Sequence, residues 1–526
     1  MALLSLPNEV LTEIIAFTRP EGFEEFILSC RNVFSIAKST KLIEQHNQLV
    51  RKWQRWDMPQ FREYWDPSLV HPMLPCIVEE PISARYINYL RFPALEHQET
   101  NDSVLAVQNQ LWEHSLIQGG LLTALQLSPY LRKAGQDPHV WFDKMMSQET
   151  RFSYSSIFLL TLLPNVTHLR LSHAWGLGSW GCIFERDKLG PQGLRSIDGQ
   201  IDSDLRSVLH LLSLQALSSF TNPPGLFKLH TIEPWSSDVG WGTPLQSLTP
   251  FMALPSMRKM ILTRMEADHN PFRWPYEPSI TSPIEVVEAT KCAISSTSMS
   301  NFLAPMHNLR ILKYSHFGFS NGAGYSWDAG SFLATVMSSP ARLTIEELSL
   351  EAKGRSSASP IKTLKGFSKL RWLERDAVFL TGEPEASSRY SVMRRSYGNG
   401  QDSRKRTHRY KPDGIVMKRK LVDVLPPTIR RVRLIITNQI RDFARLFVGL
   451  ATEREKLPQL QEIEVVTFSS KPGYYSTVMD SQPKTVTLPT SIRRQMNRAG
   501  IKYSNPLDGK RSALHTSVPY DYGVGV

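Results

Sequence analysis

A glycine pattern at residues 176–181 has the spacing of a dinucleotide-binding turn. Gly176, Gly178 and Gly181 reproduce G-x-G-x-x-G, and Asp198 follows at the distance of a ribose-binding carboxylate. Such a turn needs a sustained helix directly after it, because the helix N-terminus holds the pyrophosphate. Here the sequence CIFERDKLGP is too short for a sustained helix and ends in a Gly-Pro pair. The pattern therefore favours a loop between other elements over a nucleotide site.

A second pattern, G-x-S-x-G at residues 318–322, is typical of a hydrolase nucleophile. Ser320 would need a histidine later in the chain, and only His408 and His515 follow it. His408 lies in a strongly basic tract, and His515 lies close to the C-terminus. The loop also continues where a helix should begin. We therefore expect a non-catalytic protein, with no cofactor and no metal.

The composition restricts the class of protein further. Of 526 residues, 41% are hydrophobic and 21% are charged, which is enough apolar material for a large core. The four cysteines are too scattered for a disulfide framework and form no zinc-type C-x-x-C pair. No stretch approaches the ~18 uncharged apolar residues of a membrane span, and the N-terminus lacks the basic region of a secretory signal. We expect a location in the cytoplasm, the nucleus or both, with no membrane partner.

The basic excess of the chain belongs to one segment. The net charge is +12, and residues 389–420 contribute eleven Lys or Arg against two Asp, a local +9. Because apolar periodicity is missing there, residues 381–423 are predicted to form a disordered insertion. The tract from Arg404 to Lys411 also fits a nuclear import signal, whereas phosphate binding without an accompanying fold is disfavoured. We expect no nucleic-acid partner, and we expect residues 504–526 to be a flexible tail.

Residues 4–49 have the pattern of three short amphipathic helices. Pro7 suits the first helical position, and Glu9 complements the positive end of a helix. Three helices of this size bury little by themselves, so they should pack on a larger fold or on a partner. The apolar stripes have helical spacing. The first contains Val10, Leu11, Ile14 and Ile15, and the second runs through Phe23, Phe26, Ile27, Cys30, Phe34 and Ala37 before Leu42.

The order of these residues resembles an F-box. Leu6-Pro7, Glu9 and Cys30-Arg31 have counterparts in that family, whereas the loop from Arg19 to Phe23 is irregular. The resemblance implies that this module docks onto the Skp-type adaptor of a Skp–cullin–F-box ubiquitin ligase. The adaptor-binding residues that it implies are Leu4, Leu6, Pro7, Val10, Leu11, Ile14, Ile15, Phe26, Cys30, Phe34 and Leu42.

Behind this module, the pattern apolar-x-x-apolar-x-apolar recurs along the chain. Its alternation predicts a short strand in each copy, with the last two apolar residues facing inward. Several copies follow a Leu-Pro pair, the expected break between a helix and a strand. Weaker copies lie at Leu194/Ile197 and Leu226/Leu229. The clear copies begin at Ile87, Val166, Met257, Leu309, Ile345, Ile429 and Leu460.

Short strands that alternate with helical stretches indicate an α/β solenoid of the leucine-rich type, with a general α/β domain as the alternative. Long, irregular leucine-rich repeats behind an N-terminal F-box also resemble many fungal F-box proteins. The predicted class is α/β, a small three-helix F-box followed by an irregular leucine-rich-repeat-like solenoid. The predicted boundaries are 1–49 for the F-box, 50–84 for a helical connector and 85–503 for the solenoid, which contains the insertion; residues 103–163 should be mainly helical.

Residues beside the inward anchors should project from the other face of each strand, which in a solenoid lines the concave surface. This face runs from basic copies toward an acidic C-terminal end. We take its polar positions as candidate substrate-binding residues. They are Tyr89, Arg91, His168, Arg170, Lys259, Lys313, Glu347, Arg431, Arg433, Glu462 and Glu464.

Together these features predict a receptor without catalytic residues of its own. Its F-box would bind the Skp adaptor of a cullin ligase, and its repeats would bind a protein substrate that the sequence does not identify. The alternative is a non-catalytic leucine-rich-repeat interaction scaffold outside the ubiquitin system, in which the N-terminal helices only cap the solenoid.

Overall fold

The chain forms two compact units in the computed structural model. The first comprises residues 1–263 and 279–284, and the second comprises residues 264–278 and 285–526. The described residues are 5–57, 73–92, 120–147, 150–171, 201–214, 224–234, 243–267, 272–317, 327–353, 356–357, 361–376, 378–381, 420–437, 443–468, 483–484 and 490–504.

The first unit begins with four short helices, α1 (Asn8–Phe17), α2 (Phe23–Leu28), α3 (Arg31–Ser39) and α4 (Leu42–Trp53). We call residues 5–53 the N-terminal module. Their apolar stripes meet in one core, which Leu6, Ala16, Phe26, Cys30 and Ile43 border. The buried members of this core are Leu11, Ile15, Phe23, Ile27, Val33, Ile36, Ala37 and Leu42.

The prediction of three helices ending at residue 49 was wrong in two respects. The second stripe is split into α2 and α3, because Cys30 is extended and its Sγ caps α3 by accepting a hydrogen bond from the Val33 amide at 3.5 Å. The last helix also continues to Trp53, whose side chain is buried. The stripe pattern could not reveal the break, since residues on both sides of Cys30 face the same core.

The strands of the first unit form a parallel sheet in the order β1-β2-β3-β4-β6. They are β1 (Arg55–Asp57), β2 (Tyr89–Arg91), β3 (His168–Leu171), β4 (Thr231–Pro234) and β6 (Lys259–Thr263), with a two-residue strand β5 (Thr243–Pro244) before the last. The α-helices between them are Met73–Glu79, Leu121–Leu127, Pro129–Lys133, Pro138–Met146, Arg151–Leu162, Ile201–Ser213 and Thr249–Met252, with 3₁₀ turns at Pro81–Tyr86 and Leu245–Leu248.

The second unit has a parallel sheet in the order β8-β9-β11-β13-β14-β15-β17, with β7 beside β8 and the antiparallel β16 beside β15. The strands are β7 (Met265–Ala267), β8 (Val286–Ile294), β9 (Ile311–Phe317), β11 (Glu347–Lys353), β13 (Trp372–Asp376), β14 (Arg431–Thr437), β15 (Glu462–Phe468), β16 (Pro483–Lys484) and β17 (Lys502–Ser504). Two short strands, β10 (Trp327–Asp328) and β12 (Ser356–Ser357), pair separately. The helices are Ser296–Leu303, Ala329–Ser338, Val378–Thr381, Leu421–Val424 and Thr490–Arg498, with 3₁₀ turns at Pro340–Leu343, Phe443–Phe447 and Arg454–Lys456.

The predicted inward anchors are confirmed. The central anchor of each clear copy is buried and lies in register with a buried apolar residue of the next strand, so a continuous apolar row lies on one face of the strands in each unit. The helices and the mostly parallel sheet confirm the predicted α/β class. In the first unit this row is Leu90, Leu169, Ile232 and Met260; in the second it is Val287, Leu312, Leu348, Leu373, Val432 and Ile463.

Several strand assignments needed correction. The predicted helical connector contains β1, which pairs with β2. The weak copy at Leu226/Leu229 is displaced by three residues, because Ile232 rather than Leu229 is in register with Leu169. The weak copy at Leu194/Ile197 lies outside the described residues.

Two of the longer strands, β8 and β13, were not predicted at all. At the last inward position they carry Ala289 and Arg375 instead of a large apolar residue, and both side chains are buried. The pattern search therefore missed them.

Outside the strands, the described helices of the 103–163 region confirm its helical prediction. The C-terminal helix Thr490–Arg498 ends before Gly500, whose φ of +67° lies in the left-handed region expected after a helix end. The predicted insertion of residues 381–423 extends too far toward the C-terminus, because Leu421–Val424 is a helix with Leu421, Val422 and Val424 buried. Residues 382–419 and 505–526 lie outside the described residues.

Candidate protein-binding surfaces

The predicted adaptor-binding residues divide into three groups. Leu11, Ile15 and Leu42 are buried in the core of the N-terminal module and therefore hold its helices together. A second group, Leu6, Ile14, Phe26 and Cys30, is partly buried. The third group is exposed and consists of Pro7, Val10 and Phe34; Leu4 lies outside the described residues.

Two further apolar side chains on this module are more exposed than the predicted Val10 and Phe34. Phe17, at the end of α1, is 80% exposed, and Leu28, at the end of α2, is 73% exposed. Val10 and Phe34 are 42% and 41% exposed. The sequence did not mark Phe17 and Leu28 as surface residues, because each continues a helix in which apolar neighbours are buried.

A groove of about 450 Å³ lies between α3 and α4. Phe34 and Ile43 supply its large apolar side chains. The remaining lining is polar, with an excess of basic groups over the single carboxylate of Glu44. These polar residues are Lys38, Lys41, Glu44, Asn47, Gln48 and Arg51.

Polar contacts join the N-terminal module to the rest of the first unit. Arg85 forms an ion pair with Glu21 at 2.5 Å, and the Asn165 amide donates to both the Glu21 carboxylate and the Arg85 carbonyl at 2.6 Å. Burial alone would raise the pKa of Glu21, but the hydrogen bonds from Asn165 and Arg85 hold it below its ordinary value. Glu21 lies in the loop from Arg19 to Phe23, where the sequence departs from the F-box pattern.

A second junction involves a buried histidine. His46 of α4 stacks on Phe23 with ring centroids 4.3 Å apart, and its Nδ1 lies 3.0 Å from the Tyr86 hydroxyl. Burial lowers the pKa of His46 and raises the pKa of Tyr86 to about 12, so both groups are neutral near pH 7. The module is thus fixed to the strand region by both an ion pair and a neutral hydrogen bond.

The outward face of the first sheet gathers basic and aromatic side chains. Register places Tyr89, His168 and Lys259 in one row, and Arg91 and Arg170 in the next. The Arg55 guanidinium lies over the Tyr89 ring at 4.9 Å, and the Tyr89 and His168 ring centroids are also 4.9 Å apart. We call these six residues the basic face.

One carboxylate that the sequence analysis missed lies among these groups. Glu233 of β4 is 3.4 Å from His168 and 3.4 Å from Arg170. Burial alone would raise the pKa of Glu233, but the His168 hydrogen bond and the Arg170 charge hold it below its ordinary value. Burial also lowers the pKa of Arg170, with Glu233 opposing this change and the like charge of Arg91 adding to it. The displaced weak copy explains why Glu233 was not found.

The outward face of the second sheet has a different charge pattern. Lys313 pairs with Glu288 at 3.0 Å, and Arg433 lies between Glu374 and Glu464 at 3.3 and 3.4 Å. These five residues share one register row, which we call the ion-pair row. Its cations each have a carboxylate on a neighbouring strand.

The other predicted residues of the second sheet lie one row away. Glu347, Arg431 and Glu462 are in register with Trp372, and Arg431 pairs with Glu462 at 3.4 Å. Trp372 and Glu374 belong to the missed strand β13. The structure therefore separates Lys313 from Glu347, which the repeat pattern had treated as equivalent.

The second unit also encloses a titratable aromatic cluster. His316 is 2% exposed, stacks on Trp327 with ring centroids 4.5 Å apart, and has its Nδ1 3.0 Å from the Tyr314 hydroxyl. Burial lowers the pKa of His316 to about 4 and raises the pKa of the neighbouring Cys292 to about 12. Both groups are therefore neutral components of the core at pH 7.

The dinucleotide-like and hydrolase-like patterns, at residues 176–181 and 318–322, lie outside the described residues. Within the parts of the chain that are described, no group of three or more His, Cys, Asp or Glu side chains could hold a metal ion. None of the described helices is both long enough and apolar enough to cross a membrane. A comparison with protein-family models gives no match, and a search of curated proteins returns no significant similarity.

Proposed function

We propose that this chain is the substrate-recognition subunit of a Skp–cullin–F-box ubiquitin ligase. Its N-terminal module is the F-box that binds the Skp adaptor, and its strands and helices form irregular leucine-rich repeats that bind a protein substrate. The chain itself performs no catalysis. It raises the effective concentration of substrate lysines near a ligase-bound conjugating enzyme, which makes the transfer nearly intramolecular.

The observation that carries the proposal is the surface of the N-terminal module. The module closes its own core, yet it leaves Val10, Phe17, Leu28 and Phe34 exposed within about fifty residues of chain. Exposed apolar side chains that lie together are typical of a protein-binding surface, and Phe34 lies beside Ile43 in the groove between α3 and α4. The F-box resemblance implies an adaptor-binding role for two of these residues, Val10 and Phe34.

The repeats support the receptor function through their outward faces. Successive parallel strands place charged and aromatic residues in register rows, so a partner could contact several strands at once. Such rows suit recognition of an extended segment of another protein.

A scaffold outside the ubiquitin system is the second candidate. The contacts of Glu21 with Arg85 and Asn165, and of His46 with Tyr86, favour it, because a terminal cap must be fixed to the repeat that it covers. In that case the N-terminal module would contribute stability and would bind no adaptor.

The two candidates are separated by co-purification of the full chain with a Skp-type adaptor. Val10→Glu combined with Phe34→Glu places charges on the exposed apolar surface and should reduce captured adaptor by about tenfold or more. The matched control is Leu127→Glu, which changes an apolar residue that is 68% exposed outside the module. No capture by the unmodified chain would favour the scaffold. Capture that is unchanged in the double variant would show that the adaptor does not bind through Val10 and Phe34.

A further inference from the structure

One carboxylate of the second unit lies between two apolar side chains on the outward strand face. Register places Glu347 of β11 between Ile311 of β9 and Trp372 of β13, at strand spacings of ~4.8 Å. All three side chains are partly exposed. Val286 of β8 lies next to Ile311 in the same register row and extends the apolar surface. We call Ile311, Glu347 and Trp372 the Glu347 triplet.

Several cations lie on the strands around Glu347, and other carboxylates contact them. The pairs are Lys313 with Glu288 at 3.0 Å, Arg310 with Glu346 at 3.1 Å, Arg371 with Glu346 at 3.8 Å and Arg431 with Glu462 at 3.4 Å. Glu347 adds to the rise in the pKa of Arg310, but Glu346 contributes more through its hydrogen bond and its charge. Among the described residues, no hydrogen bond or ion pair involves the Glu347 carboxylate. Its charge is therefore available to a partner.

Trp372 presents an aromatic surface beside this carboxylate. No ring stacking or cation–π contact between described residues involves its indole. Arg431 follows Trp372 in the register row, and its guanidinium contacts Glu462 on the far side, on β15. An indole face attracts a cation, and the adjacent carboxylate of Glu347 adds a direct charge attraction. The two groups together thus favour a cationic ligand.

We propose that the Glu347 triplet binds a lysine or arginine side chain of a partner protein. Such a side chain is apolar along its stem and charged at its tip. The stem would lie over Ile311, and the charged group would lie between the Glu347 carboxylate and the Trp372 ring. A nucleic acid is disfavoured, because the carboxylate would repel its phosphates.

The inference rests on the proposed function for the role of the bound residue, which would belong to the segment of the substrate that the receptor recognises. The binding itself requires no adaptor. It can therefore be measured separately from adaptor capture.

The test uses the full chain and fluorescence anisotropy at about 150 mM salt. The probes are a labelled twelve-residue peptide of alternating Lys and Ser, the same peptide with every lysine acetylated, and a twelve-nucleotide oligouridine. Glu347→Gln should weaken binding of the Lys–Ser peptide about fivefold, because one charge contact is lost. Combined with Trp372→Leu, the loss should reach about tenfold or more. Acetylation keeps the stem and removes the charge, so the acetylated peptide should bind about tenfold more weakly.

Glu462→Gln is the matched control. Glu462 belongs to the same register row and is 24% exposed, but it lies between Arg431 and Lys502 rather than between apolar side chains. Its substitution should change the affinity by less than about twofold. Glu347→Asp keeps the charge and Trp372→Phe keeps an aromatic ring, so both should retain most of the binding. These two variants guard against a folding defect.

The inference is overturned if the unmodified chain does not bind the Lys–Ser peptide, or if Glu347→Gln binds it equally tightly. It is also overturned if Glu462→Gln weakens binding as much, or if oligouridine or the acetylated peptide binds more tightly than the Lys–Ser peptide. Adaptor co-purification should be unchanged in all of these variants. Peptide binding without any adaptor capture would refute only the proposed function, whereas adaptor capture without peptide binding would refute only this inference.

Discussion

The outward strand faces of the two units are built alike and charged differently. In the second unit, the ion-pair row places Lys313 beside Glu288 and Arg433 between two carboxylates. In the first unit, the corresponding row runs Asp57, Arg91, Arg170 and Glu233, so two cations lie side by side between two carboxylates. The same strand geometry thus yields one row in which opposite charges alternate and one row in which two like charges are neighbours.

This difference separates two uses of surface charge. An ion pair across neighbouring strands satisfies its members within the protein and leaves less electrostatic attraction for a partner. Two neighbouring arginines repel each other, and the carboxylates beside them offset part of that repulsion.

The largest effect is expected from breaking the ion-pair row. Arg433 is only 12% exposed, and Arg433→Met would leave Glu374 and Glu464 without its charge. We expect a loss of about 3 kcal/mol in the free energy of unfolding, because two largely buried carboxylates lose their shared cation. Arg431→Met is the matched control: Arg431 is 62% exposed, and its loss should cost at most about 0.5 kcal/mol. Denaturant unfolding measures the free energy of unfolding of both variants. Equal losses would show that the ion-pair row contributes no more to stability than the exposed pair of Arg431.

A pH-dependent effect should arise inside the second unit. The pKa of His316 is about 4 in the fold and 6.5 in an exposed histidine, so the unfolded chain takes up its proton first. The stabilising contribution of the neutral His316 is fully present above pH 6.5 and is lost as the pH falls toward 4. About 2 kcal/mol of the free energy of unfolding is lost between pH 7 and pH 5.

His316→Gln checks this effect, because the variant should lose that part of the pH dependence while keeping a side chain able to reach Tyr314. Unfolding curves at pH 7, 6 and 5 give the comparison, and the difference between the two chains removes the contribution of the surface carboxylates. Parallel curves would mean that His316 is not the titrating group.

The smallest effect sharpens the contrast between the faces. Glu233→Gln removes the carboxylate that contacts His168 and Arg170, and it should cost about 1 kcal/mol of stability. Glu462→Gln in the second unit is the matched control: its partner Arg431 is 62% exposed, so the loss should be at most about 0.5 kcal/mol. Denaturant unfolding would contradict the comparison if the two substitutions cost the same.

Much of the strand arrangement could be predicted from the sequence. The clear copies of the repeat pattern each contain a strand, because alternation places every second side chain on the buried face. The pattern missed two strands in which the last inward residue is not a large apolar one: Arg375 takes this position in β13, and Ala289 takes it in β8. It also failed at β1, a strand of three residues that depends on pairing with β2.

The candidate sites were predicted less completely. Val10 and Phe34 were named and are exposed, but Leu11, Ile15 and Leu42 serve the core of the N-terminal module. Helical spacing identifies an apolar stripe, and it does not say which part of a wide stripe the neighbouring helices cover. Phe17 and Leu28 were missed for the same reason.

By itself, the sequence determined where most strands lie, which of their residues face inward, and that the N-terminal stripes form helices. These properties follow from periodicity along the chain, which is a local quantity. Only the tertiary structure decided which charges meet, because register brings together residues far apart in the chain. Arg170 thus meets Arg91 and Glu233, and Arg433 meets Glu374, across connections whose lengths the pattern does not fix.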